Sequence, residues 1–156
     1  MKRAMMIVAL GALLLALSAG VALAALRVGN DGPNNLYGTS GDGVGQDTIL
    51  GNGGNDLLEG ESAADQLSGG QGADRLYGQM GNDTLDGGPG RDAIYTGEGF
   101  DFVYARDGAA DYINCNGQSN YRVVFDAGVD RVQGCPGISS AARSAQGGEA
   151  TVTMVD

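Results

Sequence analysis

The chain has 156 residues, 29 of them glycine, and carries nineteen acidic side chains against nine basic ones, a net charge of −10. Phosphate recognition needs clustered basic residues, so this balance excludes a nucleic-acid partner. With no histidine and only two cysteines, Ser-His-Asp and Cys-His catalysis are excluded, as is a zinc site.

Residues 1–24 are predicted to be a secretory signal peptide. Lys2 and Arg3 precede an uncharged apolar run from Ala4 to Ala25, and Ala22-Leu-Ala24 is a small-x-small cleavage site. The run is long enough to span a bilayer, so an uncleaved anchor is the alternative. Cleavage after Ala24 leaves seven arginines, no lysine and all nineteen acids, a charge of −12. Such a chain repels itself and compacts poorly without cations.

Residues 25–104 are expected to form one domain on a nine-residue period, the kind of repeat that decides a whole fold. Gly29 to Tyr37 is a degenerate first unit, with Asn34 where later units carry Asp. Gly38 to Gly41 is a four-residue insertion, since Leu36 and Ile49 are thirteen apart. From there the register is unbroken. Asp47, Asp56, Asp65, Asp74, Asp83, Asp92 and Asp101 fall nine apart, and Ile49, Leu58, Leu67, Leu76, Leu85, Ile94 and Val103 follow two residues behind them. Nine is not a multiple of 3.6, so a helix would scatter both rows. A turn followed by a short strand keeps them, with the aliphatic residue inward and its neighbours outward. The glycines before each Asp permit positive φ and close backbone approach at the turn. The unit from Gly60 departs, with Glu61 and Ala63 in place of two glycines.

The unit reads GGxGxDxUx, with U a large aliphatic residue, and in this the chain resembles the RTX proteins, whose haemolysin-type repeats bind calcium. The resemblance implies an all-β chain wound as a parallel β-roll, a right-handed β-solenoid with two nonapeptides per coil. Turns then alternate between two edges, Asp47, Asp65, Asp83 and Asp101 on one and Asp56, Asp74 and Asp92 on the other. Calcium would lie between stacked turns, held by these carboxylates and by turn carbonyls, with Gly51, Gly53, Gly69, Gly78 and Gly87 the candidates. Calcium is a hard ion that takes six to eight oxygens in flexible geometry. Pairing turns eighteen apart gives about five sites, the two that share Asp65 being weakest. That turn either binds calcium poorly or is compensated by Glu61. A core of single stacked aliphatics is thin against an ordering entropy of about 1–2 kcal/mol per residue, so ion binding is expected to supply folding free energy.

Residues 105–136 are predicted to be degenerate, calcium-poor rungs and a C-terminal cap. Asp111-Tyr-Ile113 comes ten rather than nine after the previous unit, and Val123 and Val132 continue the aliphatic row, with Asp130 two before Val132. Cys115 and Cys135 fall at turn starts two units apart. Rungs spaced about 4.8 Å apart suit a disulfide, which needs Cα atoms about 4.4–6.8 Å apart, and a secreted chain favours one. Residues 137–156 are small, polar and aperiodic, a disordered tail.

The chain is therefore expected to be a secreted, extracellular calcium-binding β-roll that folds on meeting calcium, and not an enzyme. The alternative is a calcium-dependent adhesion or glycan-binding module, with a polysaccharide or cell surface as partner. Its outer face would use Tyr77, Tyr95 and Arg75, the two tyrosines being eighteen apart and stacked. A bare structural stalk is the third reading. RTX proteins often carry the roll beside a protease, lipase or toxin and leave through a type I system. The N-terminal segment here departs from that pattern.

Overall fold

The computed structural model describes residues 24–40, 45–116, 118 and 120–138 with their side chains, and the backbone of 148–154. The signal-peptide reading, apart from Ala24, and the stretches 139–147 and 155–156 of the expected tail lie outside the described residues.

All regular structure described is strand. In chain order the strands are β1 (Leu26–Val28), β2 (Asn35–Tyr37), β3 (Thr48–Gly53), β4 (Leu57–Glu59), β5 (Gln66–Gln71), β6 (Arg75–Met80), β7 (Thr84–Asp86), β8 (Ala93–Glu98), β9 (Asp101–Ala105), β10 (Tyr112–Asn114), β11 (Tyr121–Ala127), β12 (Arg131–Gln133) and β13 (Gly148–Met154). Odd-numbered strands form one sheet in the order β1-β3-β5-β7-β9-β11-β13, and even-numbered strands form the other, β2 to β12. Each strand thus pairs with the next but one, in parallel from β1 to β12, and the chain crosses between sheets at every turn. This is a β-solenoid with two nonapeptides per coil.

The register follows from the period. Ile49 pairs with Leu67, Leu67 with Leu85 and Leu85 with Val103 in one sheet, and Leu58 with Leu76 and Leu76 with Ile94 in the other. Each step is eighteen residues. All of these side chains are buried, so the core between the sheets is a double column of single aliphatics. The insertion Gly38 to Gly41 lengthens the first coil to twenty-two residues, Leu36 pairing with Leu58.

The two ends differ. At the N-terminal end the inward register position opposite Ile49 is Arg27, and its neighbours Leu26 and Val28 are 65% and 55% exposed. At the C-terminal end Tyr121, Phe125, Ala127 and Ile138 join the core fully or nearly buried. Cys115 and Cys135 are bonded, their Cα atoms 4.9 Å apart, as the stacking of their turns predicts. The stretch expected to be a disordered tail departs from that reading in two places. Ile138 packs into the core, and β13 pairs antiparallel with β11 over seven residues, from Ala127–Gly148 to Tyr121–Met154. The physical reason is that the last parallel strand leaves an open sheet edge, and a returning strand satisfies its amides and carbonyls.

Candidate metal centre

Each turn is shaped by two left-handed residues before its Asp. The second position of the unit has positive φ in Asn52, Glu61, Gly70, Gln79, Gly88 and Gly97, and the fourth in Gly54, Ala63, Gly72, Gly81, Gly90 and Gly99. The fourth position explains the preference for glycine. A Cβ on Gly90 would meet the Gly72 carbonyl of the turn below closer than 3.0 Å. Glu61 and Ala63 nevertheless take φ of 73° and 89°. The turn from Gly60 keeps its shape without those glycines, against a left-handed cost of about 1–2 kcal/mol per residue.

These turns stack the aspartates into two ladders. On the first edge the amide of Asp47 donates to Asp65 Oδ1 at 2.8 Å, that of Asp65 to Asp83 Oδ1 at 2.8 Å, and that of Asp83 to Asp101 Oδ1 at 2.9 Å. On the second, Asp56 donates to Asp74 Oδ1 at 2.7 Å, Asp74 to Asp92 at 2.8 Å, Asp92 to Asp111 at 2.8 Å and Asp111 to Asp130 at 3.0 Å. Both edges hold the aspartates assigned to them from the sequence. Asp111 and Asp130, read from the sequence as part of degenerate, calcium-poor rungs, continue the second ladder in the same geometry.

Asp47 and Asp130 accept hydrogen bonds at both oxygens, but in the other ladder carboxylates one oxygen is bonded and the other is left over. The Oδ2 atoms of Asp56, Asp65, Asp74, Asp83, Asp92, Asp101 and Asp111 are buried with no hydrogen-bond partner. Unpaired buried oxygens of this kind are costly. Their direction is fixed by the first residue of each unit. A Cβ on Gly60 would lie 2.8 Å from both Asp65 Oδ2 and the Gly78 carbonyl oxygen. Gly51, Gly69 and Gly78 face the same pairing closer than 3.0 Å, Asp56 with Gly69, Asp74 with Gly87, and Asp83 with Thr96. Four of the seven orphaned oxygens therefore face the same glycine as a main-chain carbonyl of the next turn on their edge. Gly87 faces Asp92 Oδ2 alone, and Gly53 faces Asp31 rather than an orphaned oxygen.

The electrostatics agree. Burial, with like charge from ladder neighbours behind it, pushes Asp65 up to about 6 and Asp83 and Asp92 to about 7, and Asp111 up to about 6. Burial also raises Asp74, Asp101 and Asp130. Asp47 is the exception. Burial would raise it, but amide bonds from Ala25 and Thr39, the Thr39 hydroxyl at 2.9 Å and the charge of Arg27 together hold it below the usual carboxylate range. Asp101 has a hydroxyl beside it too, from the fully buried Thr96, close enough to favour its ionised form but not aligned as a hydrogen bond. Neither threonine was singled out from the sequence.

An oxygen-only set of carboxylates and carbonyls fits calcium and suits neither zinc nor a soft metal. No three carboxylates converge on one point among the described residues, so a bound ion would draw on carbonyls as well. Residues 43–76, 59–94 and 86–109 match the family model described as RTX calcium-binding nonapeptide repeat (4 copies). No curated protein is significantly similar to the chain in sequence. The stretch 43–109 consists of RTX calcium-binding nonapeptide repeats wound into a parallel β-solenoid.

Proposed function

We propose that the chain is a secreted calcium-binding protein whose roll folds on binding extracellular calcium, at the ladder aspartates, and that it has no enzymatic activity. One observation carries the reading. Seven buried carboxylate oxygens lack a partner, and four of them face a carbonyl of the next turn. A divalent cation between the turns would satisfy both oxygens, cancel the repulsion along the ladder and cross-link successive rungs. The unfolded chain has no such site, so binding free energy becomes folding free energy. The apolar N-terminal run and the Cys115–Cys135 bond support secretion. Among the described residues no helix is long and apolar enough to cross a membrane.

The polysaccharide reading gains no platform from the tyrosines. Tyr77 and Tyr95 lie with ring centroids 4.7 Å apart and planes 3° from parallel, so each covers a face of the other, and Tyr112 leans on Tyr95 at 5.8 Å.

Circular dichroism of the full chain, titrated from chelator into calcium, tests the proposal. Extracellular calcium modules work at about 10⁻⁴–10⁻³ M. Cooperative gain of β-structure in that range is expected, with magnesium substituting poorly. Spectra unchanged between chelator and millimolar calcium would mean that the aliphatic column and the disulfide fold the roll unaided.

A further inference from the structure

The match to the nonapeptide ends at residue 109, but the second ladder runs on. Asp107-Gly-Ala-Ala-Asp111 and Asp126-Ala-Gly-Val-Asp130 are two DxxxD turns nineteen residues apart. They are stacked, since the amide of Asp111 donates to Asp130 Oδ1 at 3.0 Å and that of Gly108 to Asp126 Oδ2 at 2.8 Å.

A substitution has taken place along this edge. Within the repeat the amide at the fourth position of a turn donates to a main-chain carbonyl one rung on, Gly54 to Gln71 at 2.9 Å and Gly72 to Pro89 at 3.0 Å. The next two steps keep the donor and change the acceptor. Gly90 donates to Asp107 Oδ2 at 2.7 Å and Gly108 to Asp126 Oδ2. A carboxylate now stands where the repeat has a neutral carbonyl. Asp111, at the centre, is 2% exposed with Oδ2 unpartnered, and the charges acting on it are those of Asp130, Asp107 and Asp126. The nearby Arg91 donates to the Ala110 carbonyl, at 3.5 Å. On the other edge the rungs of the cap are joined by the Cys115–Cys135 bond. On this edge the facing groups are four carboxylates.

Like charges around a buried, unpaired carboxylate are unfavourable unless a cation joins them. We infer that the turns Asp107–Asp111 and Asp126–Asp130 form a further site, outside the nonapeptides, for a hard divalent cation, with calcium the fitting member. This rests on the calcium reading above, and runs against the expectation that these rungs are poor in calcium. Asp107 and Asp130 accept backbone amides at both oxygens, so Asp111, through its unpartnered Oδ2, and Asp126 would supply the carboxylate oxygens. Since no three acidic groups converge among the described residues, carbonyls and water would complete the shell.

Bound calcium is to be counted by native mass spectrometry, with calorimetry alongside, on the full chain with its disulfide intact. Asp111→Asn and Asp126→Asn each keep an oxygen for the amide that donates to it, so hydrogen bonding survives and charge is lost. Each is expected to lower the count by one ion and leave the others. If the unsubstituted chain binds calcium and both variants bind as many ions, the cap site is overturned and the repeat sites stand. If the unsubstituted chain binds none, both readings fall. Should Asp111→Asn not fold in calcium, the count for Asp126→Asn, at a half-buried position, decides alone.

Discussion

The two edges of the roll are made from the same nonapeptide and finish differently. The first carries Asp47, Asp65, Asp83 and Asp101, with a threonine hydroxyl at Asp47 and another beside Asp101. Its next rung puts Tyr121 opposite Asp101, and a disulfide follows. The second keeps aspartate at every rung from Asp56 to Asp130. The difference teaches that the spacing between stacked turns can be bridged by more than one chemistry. A hydroxyl, a covalent bond or an ion between carboxylates all fit it, and the choice sets which conditions each edge tolerates.

The strongest way to break the comparison is to turn the first edge into the second. Tyr121 is fully buried, and its hydroxyl donates to the Pro136 carbonyl. Tyr121→Asp removes that packing and buries a charge. A loss of about 3–5 kcal/mol is expected, as for other large-to-small core changes, read by denaturant unfolding in calcium. A variant as stable as the parent would show that the edges are interchangeable. Next comes the covalent bridge. Cys115→Ser with Cys135→Ser opens a loop with a sequence separation of 20, worth about 3 kcal/mol of unfolded-state entropy. The same measurement in calcium should show that loss.

A pH series sharpens the contrast in chelator. Asp65, Asp83, Asp92 and Asp111 have folded values of about 6 to 7, above the ordinary carboxylate. Their contribution is therefore full below pH 4 and is lost as pH rises through 6 to 7. Asp47, held low, works in the opposite sense, contributing above the ordinary value and losing it in acid. Four groups outweigh one, so the calcium-free chain should hold more β-structure by circular dichroism at pH 5 than at pH 8. Calcium, which holds the carboxylates ionised, should remove that preference. Calcium-free β-structure that increases with pH would contradict the assignment of burial as the dominant cause. The smallest effect is expected at Thr96→Val, which removes the hydroxyl beside Asp101 at nearly constant shape. About 1 kcal/mol or less is expected, read by melting temperature in calcium.

Most of the roll was legible because two rows of residues share one period. Aspartate and aliphatic nine apart dictate turn and strand, and the doubled period dictates that Leu67 lies against Leu85. Three things were not legible, each for a local reason. Asp111 and Asp130 join the ladder although lengthened turns put them out of register, because a turn can absorb a residue while the strand after it keeps its pairing. Thr39 serves Asp47 from eight residues away, from within the insertion, where no period applies. β13 exists because β11 needs a partner, a requirement set by tertiary structure and carried by no motif in Gly148–Met154.

The coil length has a consequence of a different kind, in the statistics of closing loops. Paired residues are twenty-two apart in the first coil, eighteen through the repeat, and nineteen or twenty at the end. Loop-closure entropy grows only logarithmically with length, so the long first coil costs about 0.2 kcal/mol more than a regular one. Every rung is then closed at nearly the same entropic cost and touches only its neighbours. Such a chain behaves as a one-dimensional stack, which gains stability rung by rung and loses it by fraying from an end. The N-terminal end of the described roll, with Leu26 and Val28 exposed and no strand paired beyond β1 among the described residues, is where that fraying begins.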